Sequence, residues 1–248
     1  MMRTLATYSI KGGVGKTSAA LNLAYLASCD GLRTLVWDLD PQAAATYLFR
    51  VRPRVKGGGE ALVRRRREID KAIKATDYRG LDLLPADFSY RHMDLVLDRT
   101  KRPIRQVGKL LRPLASEYDL VVLDCPPSVS LVSENVLEAA NLLLVPLIPA
   151  TLSLRTFEQL LGFVDAFKGH RPSVRAFFSM VDRRKRMHAD IMRELPKLNG
   201  SVFAASIPSS ADVERMGLTR QPLGVTQPRG RAAEAYRHLW QECRAFVC

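Results

Sequence analysis

The sequence predicts an α/β fold: a doubly wound, mostly parallel sheet with helices on both faces. Three observations lead there. Short, almost wholly apolar runs such as Leu35-Val36-Trp37 and Leu120-Val121-Val122-Leu123 recur along the chain, as expected of strands buried on both faces. Amphipathic stretches with helical spacing separate them. A chain of 248 residues can enclose a large core within one such sheet, so a single domain over 1–248 is expected.

In chain order, the apolar runs place strands at 3–10, 33–38, 81–85, 119–124, 142–147, 174–180 and 202–206. The amphipathic stretches place helices at 17–29, 59–75, 103–117, 130–139, 153–168, 187–195 and 231–246. Gly57-Gly58-Gly59 reads as a hinge or helix start rather than a domain boundary. No internal repeat and no long linker interrupts the alternation. At 47% hydrophobic the chain is not of the disordered class. No apolar run approaches the roughly 18 residues that span a membrane, and Met1 to Ile10 lacks a cleavable signal pattern. Cys29, Cys125, Cys243 and Cys248 show no C-x-x-C spacing, which points to reduced thiols and a cytoplasmic location.

The first strand runs into Lys11-Gly12-Gly13-Val14-Gly15-Lys16-Thr17, and a helical pattern opens at Ser18. This is close to the phosphate-loop pattern G-x-x-x-x-G-K-T, but Ile10 stands where the first glycine belongs and Lys11 is an added cation. Backbone N–H groups of a Gly-rich turn, with a helix N-terminus behind them, form a cradle for phosphate oxygens. Glycine is needed where a Cβ would block the turn or the approach of a phosphate. In such a loop Lys16 reaches the β- and γ-phosphates, and the Thr17 hydroxyl holds Mg²⁺. The plain alternative is a Gly-rich turn with two chance lysines.

Two further strands end in acids. Leu35-Val36-Trp37 leads into Asp38-Leu39-Asp40-Pro41-Gln42, and Leu120 to Leu123 leads into Asp124-Cys125-Pro126-Pro127-Ser128. Carboxylates at the C-terminal ends of parallel strands face the ligand crevice of an open α/β sheet. There Asp38 and Asp124 can coordinate Mg²⁺, and Asp40 can orient an attacking water. A lone Asp38 would read as an ordinary strand-end turn residue; three aspartates beside a phosphate loop read as a site.

Together K-G-G-V-G-K-T, D-x-D-P-Q and D-C-P-P-S resemble the motifs of the ParA/MinD family of deviant Walker A ATPases. Leu83-Leu84-Pro85-Ala86 resembles that family's central strand and turn, Ser179 to Arg184 its late strand and basic turn, and Ile207-Pro208 the segment near the base. The resemblance implies ATP and Mg²⁺ as cofactors, bound by the loop Gly12, Gly13, Val14, Gly15, Lys16, Thr17 and Ser18. It implies catalytic roles for Lys16, Asp40 and Lys11, with Lys11 reaching the phosphates of a second subunit in an ATP-bound sandwich homodimer. Met180 and Pro208 are expected to follow strand ends on the far side of the sheet from the phosphate loop and to pack on adenine. Plain core packing is the other reading of those two residues.

Charge is the second signal. The chain has 38 Lys and Arg against 25 Asp and Glu, a net charge of +13. Between Arg50 and Arg112 there are 18 basic and 8 acidic residues, an excess of +10 that includes the run Arg64 to Arg67. A second cluster is Arg183-Arg184-Lys185-Arg186. Such patches attract a polyanion without reading bases, although a single run also suits a solvated helix face. Many relatives carry arginines just after the Ile-Pro segment, whereas Ser209 to Val213 has none. The DNA contacts are therefore expected at Arg183, Arg184, Arg186, Arg215 and Arg220, with the basic 50–112 region.

The resemblance also implies a nucleoid-associated ATPase that positions or segregates a cargo, such as a plasmid, a chromosome or a carboxysome. A cargo-bound ParB-like or adaptor protein would stimulate hydrolysis. The alternative is a membrane-surface regulator of the MinD kind, which ends in an amphipathic helix. In the last helix Tyr236, Leu239, Trp240, Cys243, Phe246 and Val247 recur at helical spacing, but the polar face is mixed, which favours packing on the sheet over membrane binding. A third class, the metallocluster carriers and metabolic enzymes of the superfamily, usually needs a paired-Cys motif in its carrier form, and none is present.

Overall fold

The computed structural model describes residues 1–65, 68–198 and 201–248. Its centre is an eight-stranded sheet in the order β3-β4-β2-β5-β1-β6-β7-β8. These strands are β1 Arg3–Thr7, β2 Thr34–Asp38, β3 Lys74–Ala75, β4 Leu81–Leu84, β5 Leu120–Asp124, β6 Leu142–Leu147, β7 Ser173–Val181 and β8 Val202–Pro208. All pairings are parallel except the short edge pair β3–β4. The expected doubly wound sheet is therefore present.

The helices are α1 Lys16–Cys29, α2 Ala44–Leu48, α3 Gly58–Val63, α4 Met93–Asp98, α5 Gln106–Leu111, α6 Leu131–Ala139, α7 Thr151–Ala166, α8 Arg186–Leu198, α9 Ala211–Thr219, α10 Leu223–Thr226 and α11 Arg231–Val247. Successive strand residues point to opposite faces, and this divides the core. Ala6, Leu35, Trp37, Leu123 and Phe178 face the layer built by α3 to α8. Leu5, Val36, Leu83, Val122 and Phe177 face α1 and the C-terminal helices α9 to α11.

Several expectations are corrected. The helix expected over 59–75 ends at Val63. Arg65 then adopts a left-handed φ of 54°, a 3₁₀ turn covers Asp70–Ala72, and Lys74–Ala75 is the edge strand β3. Ile69 and Ala72 are buried all the same, so their apolar spacing marks core contact rather than one continuous helix. The helix expected over 103–117 is α5 flanked by 3₁₀ turns at Pro103–Arg105 and Arg112–Ser116; Pro113 lacks the N–H that would extend it. The 81–84 strand is not central, since it lies between β2 and the edge strand β3. The short helices α2, α4, α9 and α10 were not expected.

Candidate functional site

The site begins with register. Asp38 at the end of β2 lies abreast of Asp124 at the end of β5, and Asp124 lies abreast of Thr7 at the end of β1. Three adjacent strands thus deliver their last residues to one place, beside the loop that leaves β1. This is the carboxyl edge of a parallel sheet, where α/β proteins bind ligands.

Backbone conformation shapes the loop. Gly13 has φ 69° and Gly15 φ 99°, a region that side chains other than glycine rarely occupy. A Cβ on Gly15 would lie 2.8 Å from Ser179 Oγ, and one on Gly12 would lie 4.0 Å from Pro127. The loop is therefore bounded by β7 on one side and the D-C-P-P-S turn on the other. Tyr8 fixes that turn by donating its hydroxyl to Ser128 O at 2.6 Å. Gly15 caps α1, so the unpaired N–H groups of the first turn, which includes Lys16, Thr17 and Ser18, open into the loop.

Lys16 is 6% exposed, and its ammonium donates to Lys11 O at 3.0 Å, closing the loop on itself. Burial lowers its pKa, while Asp124, Cys125 and Asp40 pull the other way. The Lys11 side chain is in solvent, as are Gly12 and Gly13, whereas Val14 is buried.

The two strand-end carboxylates are fully buried. Asp38 Oδ2 accepts from Thr46 N at 2.8 Å and Thr46 Oγ1 at 2.7 Å, and Oδ1 accepts from Asp40 N at 3.2 Å. Burial still pushes Asp38 upward against those bonds. Asp124 Oδ1 takes one weak bond from Thr7 Oγ1 at 3.4 Å, and Oδ2 has no hydrogen-bond partner among the described residues. Burial, then the neighbouring Asp38 carboxylate, pushes Asp124 upward. Two desolvated acids side by side, one with an unpartnered oxygen, favour a cation between them. Among the described residues no group of three or more His, Cys, Asp or Glu could hold a metal alone. The set Asp38, Asp124 and Thr17 suits Mg²⁺, which keeps waters and takes further ligands from phosphate. A magnesium–nucleotide pair therefore fits: a glycine cradle, a buried ammonium and an orphaned acid oxygen converge. Asp40, half-buried in the following turn, accepts from Gln42 N at 2.9 Å.

Met180 and Pro208 do not follow strand ends; they lie within β7 and at the last position of β8. Nor is Met180 on the far side from the phosphate loop, because its neighbour Ser179 abuts Gly15. Met180 has φ 55° and is 38% exposed, at an irregularity in the β7–β8 pairing. Pro208 lines an open cleft of about 600 Å³ together with Arg183 and Arg184, so two expected DNA contacts share a cavity with an expected base contact.

The other basic residues divide. Arg183, Arg186 and Arg215 are exposed, and Arg184 forms a bidentate pair with Asp182 at 3.0 Å. Arg220 is already engaged. It caps α9 with φ 52°, donates to Tyr47 O at 2.7 Å and lies 4.3 Å over the Tyr47 ring. Arg50 reciprocates by donating to Thr219 O at 2.9 Å. These contacts bind α9 to α2 rather than presenting Arg220 to a ligand. Of the run Arg64 to Arg67, the last pair, Arg66 and Arg67, lies outside the described residues.

Thr46 and Ser179 are functional-site residues that sequence reasoning missed. Thr46 also accepts from Ala86 N at 2.8 Å, joining β2, α2 and the turn after β4; no local pattern marks it. The last helix packs on the sheet. Tyr236, Leu239, Trp240, Cys243 and Val247 are buried, Trp240 Nε1 donates to Asp30 Oδ2 at 2.8 Å, and Phe246 stacks near Phe203. Among the described residues no helix is long and apolar enough to cross a membrane.

Comparison with known proteins agrees with this geometry. The AAA_31 family model, an AAA domain, matches residues 2–175. Chromosome partitioning protein ParA of Myxococcus xanthus is 30% identical over 97% of this chain and 87% of its own length. Sporulation initiation inhibitor protein Soj of Bacillus subtilis is 27% identical over 99% of each chain. Among solved structures, cobyrinic acid a,c-diamide synthase from Mycobacterium smegmatis with bound ADP and magnesium is similar at a TM-score of 0.82 and 26% identity, over 97% of this chain and 93% of that one.

Proposed function

The chain belongs to the ParA/MinD family of deviant Walker A ATPases, and from that premise we propose that it hydrolyses ATP to switch its hold on DNA. ATP with Mg²⁺ binds at the Lys11–Ser18 loop, with Lys16 and Thr17 acting within the subunit. Two ATP-bound subunits close as a sandwich dimer, and the solvent-exposed Lys11 of each reaches the phosphates of the other. A cation supplied across an interface stabilises charge on the phosphoryl group in transfer. Asp38 and Asp124, through Mg²⁺, and Asp40, through the attacking water, complete the chemistry. Met180 and Pro208, from β7 and the end of β8, pack on adenine.

The observation that carries this reading is the convergence of Asp38, Asp124 and the unpartnered Asp124 Oδ2 with the loop closed by Lys16. Arg183, Arg184, Arg186 and Arg215 supply the DNA surface, doubled in the dimer so that weak contacts add up. The names of the relatives, one a chromosome partitioning protein, support a partition or positioning role, in the cytoplasm on the nucleoid, with a ParB-like or adaptor partner stimulating hydrolysis. One similar structure is named a synthase and matches over a comparable length; the partition reading is supported by the names of sequence relatives from Myxococcus xanthus and Caulobacter vibrioides, both chromosome partitioning proteins. The membrane-surface alternative needs a free apolar helix face, and that of α11 is spent on α1 and β8. The test pairs ATP turnover with co-sedimentation on DNA and on anionic liposomes. Wild type is expected to turn over ATP and to sediment strongly with DNA only with ATP, and Lys16→Ala neither to turn over ATP nor to gain that strong sedimentation. ATP-dependent sedimentation with liposomes and not with DNA would replace this reading with the membrane-surface one.

A further inference from the structure

The molecule carries another cluster of cations that the proposed function leaves unused. Lys109 on α5 stands among Arg65, Arg102, Arg105 and Arg112. Arg105 is paired with Glu138 at 2.9 Å. For Arg65, Arg102, Lys109 and Arg112 no ion pair is found among the described residues, although the three arginines are exposed. Burial and then the like charge of the four arginines lower the Lys109 pKa.

The cluster sits on a fixed platform. Gln106, Val107, Leu110 and Leu111 of α5 are buried, which leaves Lys109 on the outer side. Asn135 of α6 holds the start of the helix: its Oδ1 accepts from Gln106 N at 2.7 Å and Val107 N at 3.1 Å, and its Nδ2 donates to Pro103 O at 2.7 Å. Gathering like charges on a rigid element costs stability, and an anion that bridges them recovers it. A cleft of about 480 Å³ borders the cluster; Glu68, Asp70 and Glu117 also line it, and Glu68 is engaged with Lys71. The cations therefore suit a chain of spaced phosphates passing over the rim better than a single anion sunk in the cleft.

Position separates this face from the other basic surface. α5 packs with α3 and α6 ahead of β5, whereas Arg183, Arg184 and Arg186 follow β7, one strand from the β8 edge of the sheet, and Met216, next to Arg215 on α9, packs into the opposite layer. We propose that the α5 face, through Arg65, Arg102, Lys109 and Arg112, is a second nucleic-acid contact that grips backbone phosphates of a duplex without reading bases and without requiring ATP. A chain engaged at both surfaces bridges two DNA segments, and a chain released from the ATP-dependent grip stays loosely attached. This inference does not rest on the sandwich dimer and survives if that reading fails.

The test is fluorescence anisotropy of a labelled duplex of random sequence with ADP-bound protein, from 50 to 200 mM NaCl. Each phosphate contact contributes about −0.9 to the slope of log K against log salt. If all four contacts form, replacing the cations by Gln (Arg65→Gln, Arg102→Gln, Lys109→Gln, Arg112→Gln) makes the slope shallower by about 3.6, and the wild-type advantage shrinks about 150-fold across that salt range. The charge-preserving set Arg65→Lys, Arg102→Lys, Arg112→Lys keeps most of the binding and guards against a folding defect. Arg183→Glu, Arg184→Glu and Arg186→Glu together leave ADP-state binding in place. An unchanged affinity and slope in the Gln variant overturns the proposal. So does tighter binding of labelled polyglutamate than of duplex, which would assign the face to an acidic protein partner.

Discussion

Thr46→Val tests the internal wiring of the site most sharply. Thr46 is fully buried, and its hydroxyl donates to Asp38 Oδ2 at 2.7 Å while accepting from Ala86 N at 2.8 Å. Valine keeps the shape and removes both bonds. A hydrogen bond to a charged group is worth about 1.5–3 kcal/mol, and a buried N–H left without a partner costs about 1–3 kcal/mol. Valine's extra apolar surface offsets part of that, so a loss of about 2–5 kcal/mol is expected. For a chain of this size each kcal/mol moves Tm by about 2–4 °C, which gives a fall of about 4–20 °C by calorimetry or circular dichroism. Thr46→Ser keeps the hydroxyl and is expected to cost about 1 kcal/mol for the lost methyl. If the Val variant melts within about 2 °C of wild type, or above the Ser variant, the hydroxyl does not join β2 to the β4 turn and the reasoning fails.

Three further outcomes are expected. Gly15→Ala forces φ 99° on a residue with a side chain and sets its Cβ 2.8 Å from Ser179 Oγ; at a backbone cost of about 1–3 kcal/mol, fluorescent ATP analogue binding is expected to fall sharply, and wild-type affinity would refute the cradle. Asp40→Ala is expected to keep ATP binding while turnover falls by about 10²–10⁴; wild-type turnover removes Asp40 from the chemistry. Arg220→Ala is expected to lower stability by about 1–2 kcal/mol through the lost Tyr47 contacts and to leave the salt slope of DNA binding unchanged, whereas a slope shallower by about 0.9 would return Arg220 to the DNA surface.

What the sequence reveals and what it hides follows from where the information lies. Asp38, Asp124 and the Lys11–Thr17 loop are legible because each terminates or follows a short apolar run, and parallel strands align their ends without further instruction. The layer assignments follow from strand alternation for the same reason. The extent of the 59–75 helix is not legible. Leu62, Ile69 and Ala72 are all buried, so the apolar spacing persists past a left-handed residue and into a 3₁₀ turn. Thr46 and Arg220 are hidden for a different reason. Their partners lie at Ala86 and Tyr47, on segments distant in sequence, and nothing local separates a threonine that bridges two elements from one on a helix surface. Arg220 reads as a free cation until the Tyr47 carbonyl and ring are seen to occupy it.

The central claim is that ATP joins two subunits through Lys11. Light scattering after size exclusion, with Mg²⁺ and either ATP or ADP, tests it directly on wild type and Lys11→Ala. Lys11 reaches into solvent, while Lys16 alone is folded into its own loop. Wild type is therefore expected to elute as a dimer with ATP and a monomer with ADP, and Lys11→Ala to bind ATP yet remain a monomer. A wild-type monomer with ATP, or an ATP-dependent dimer of Lys11→Ala, would contradict the account.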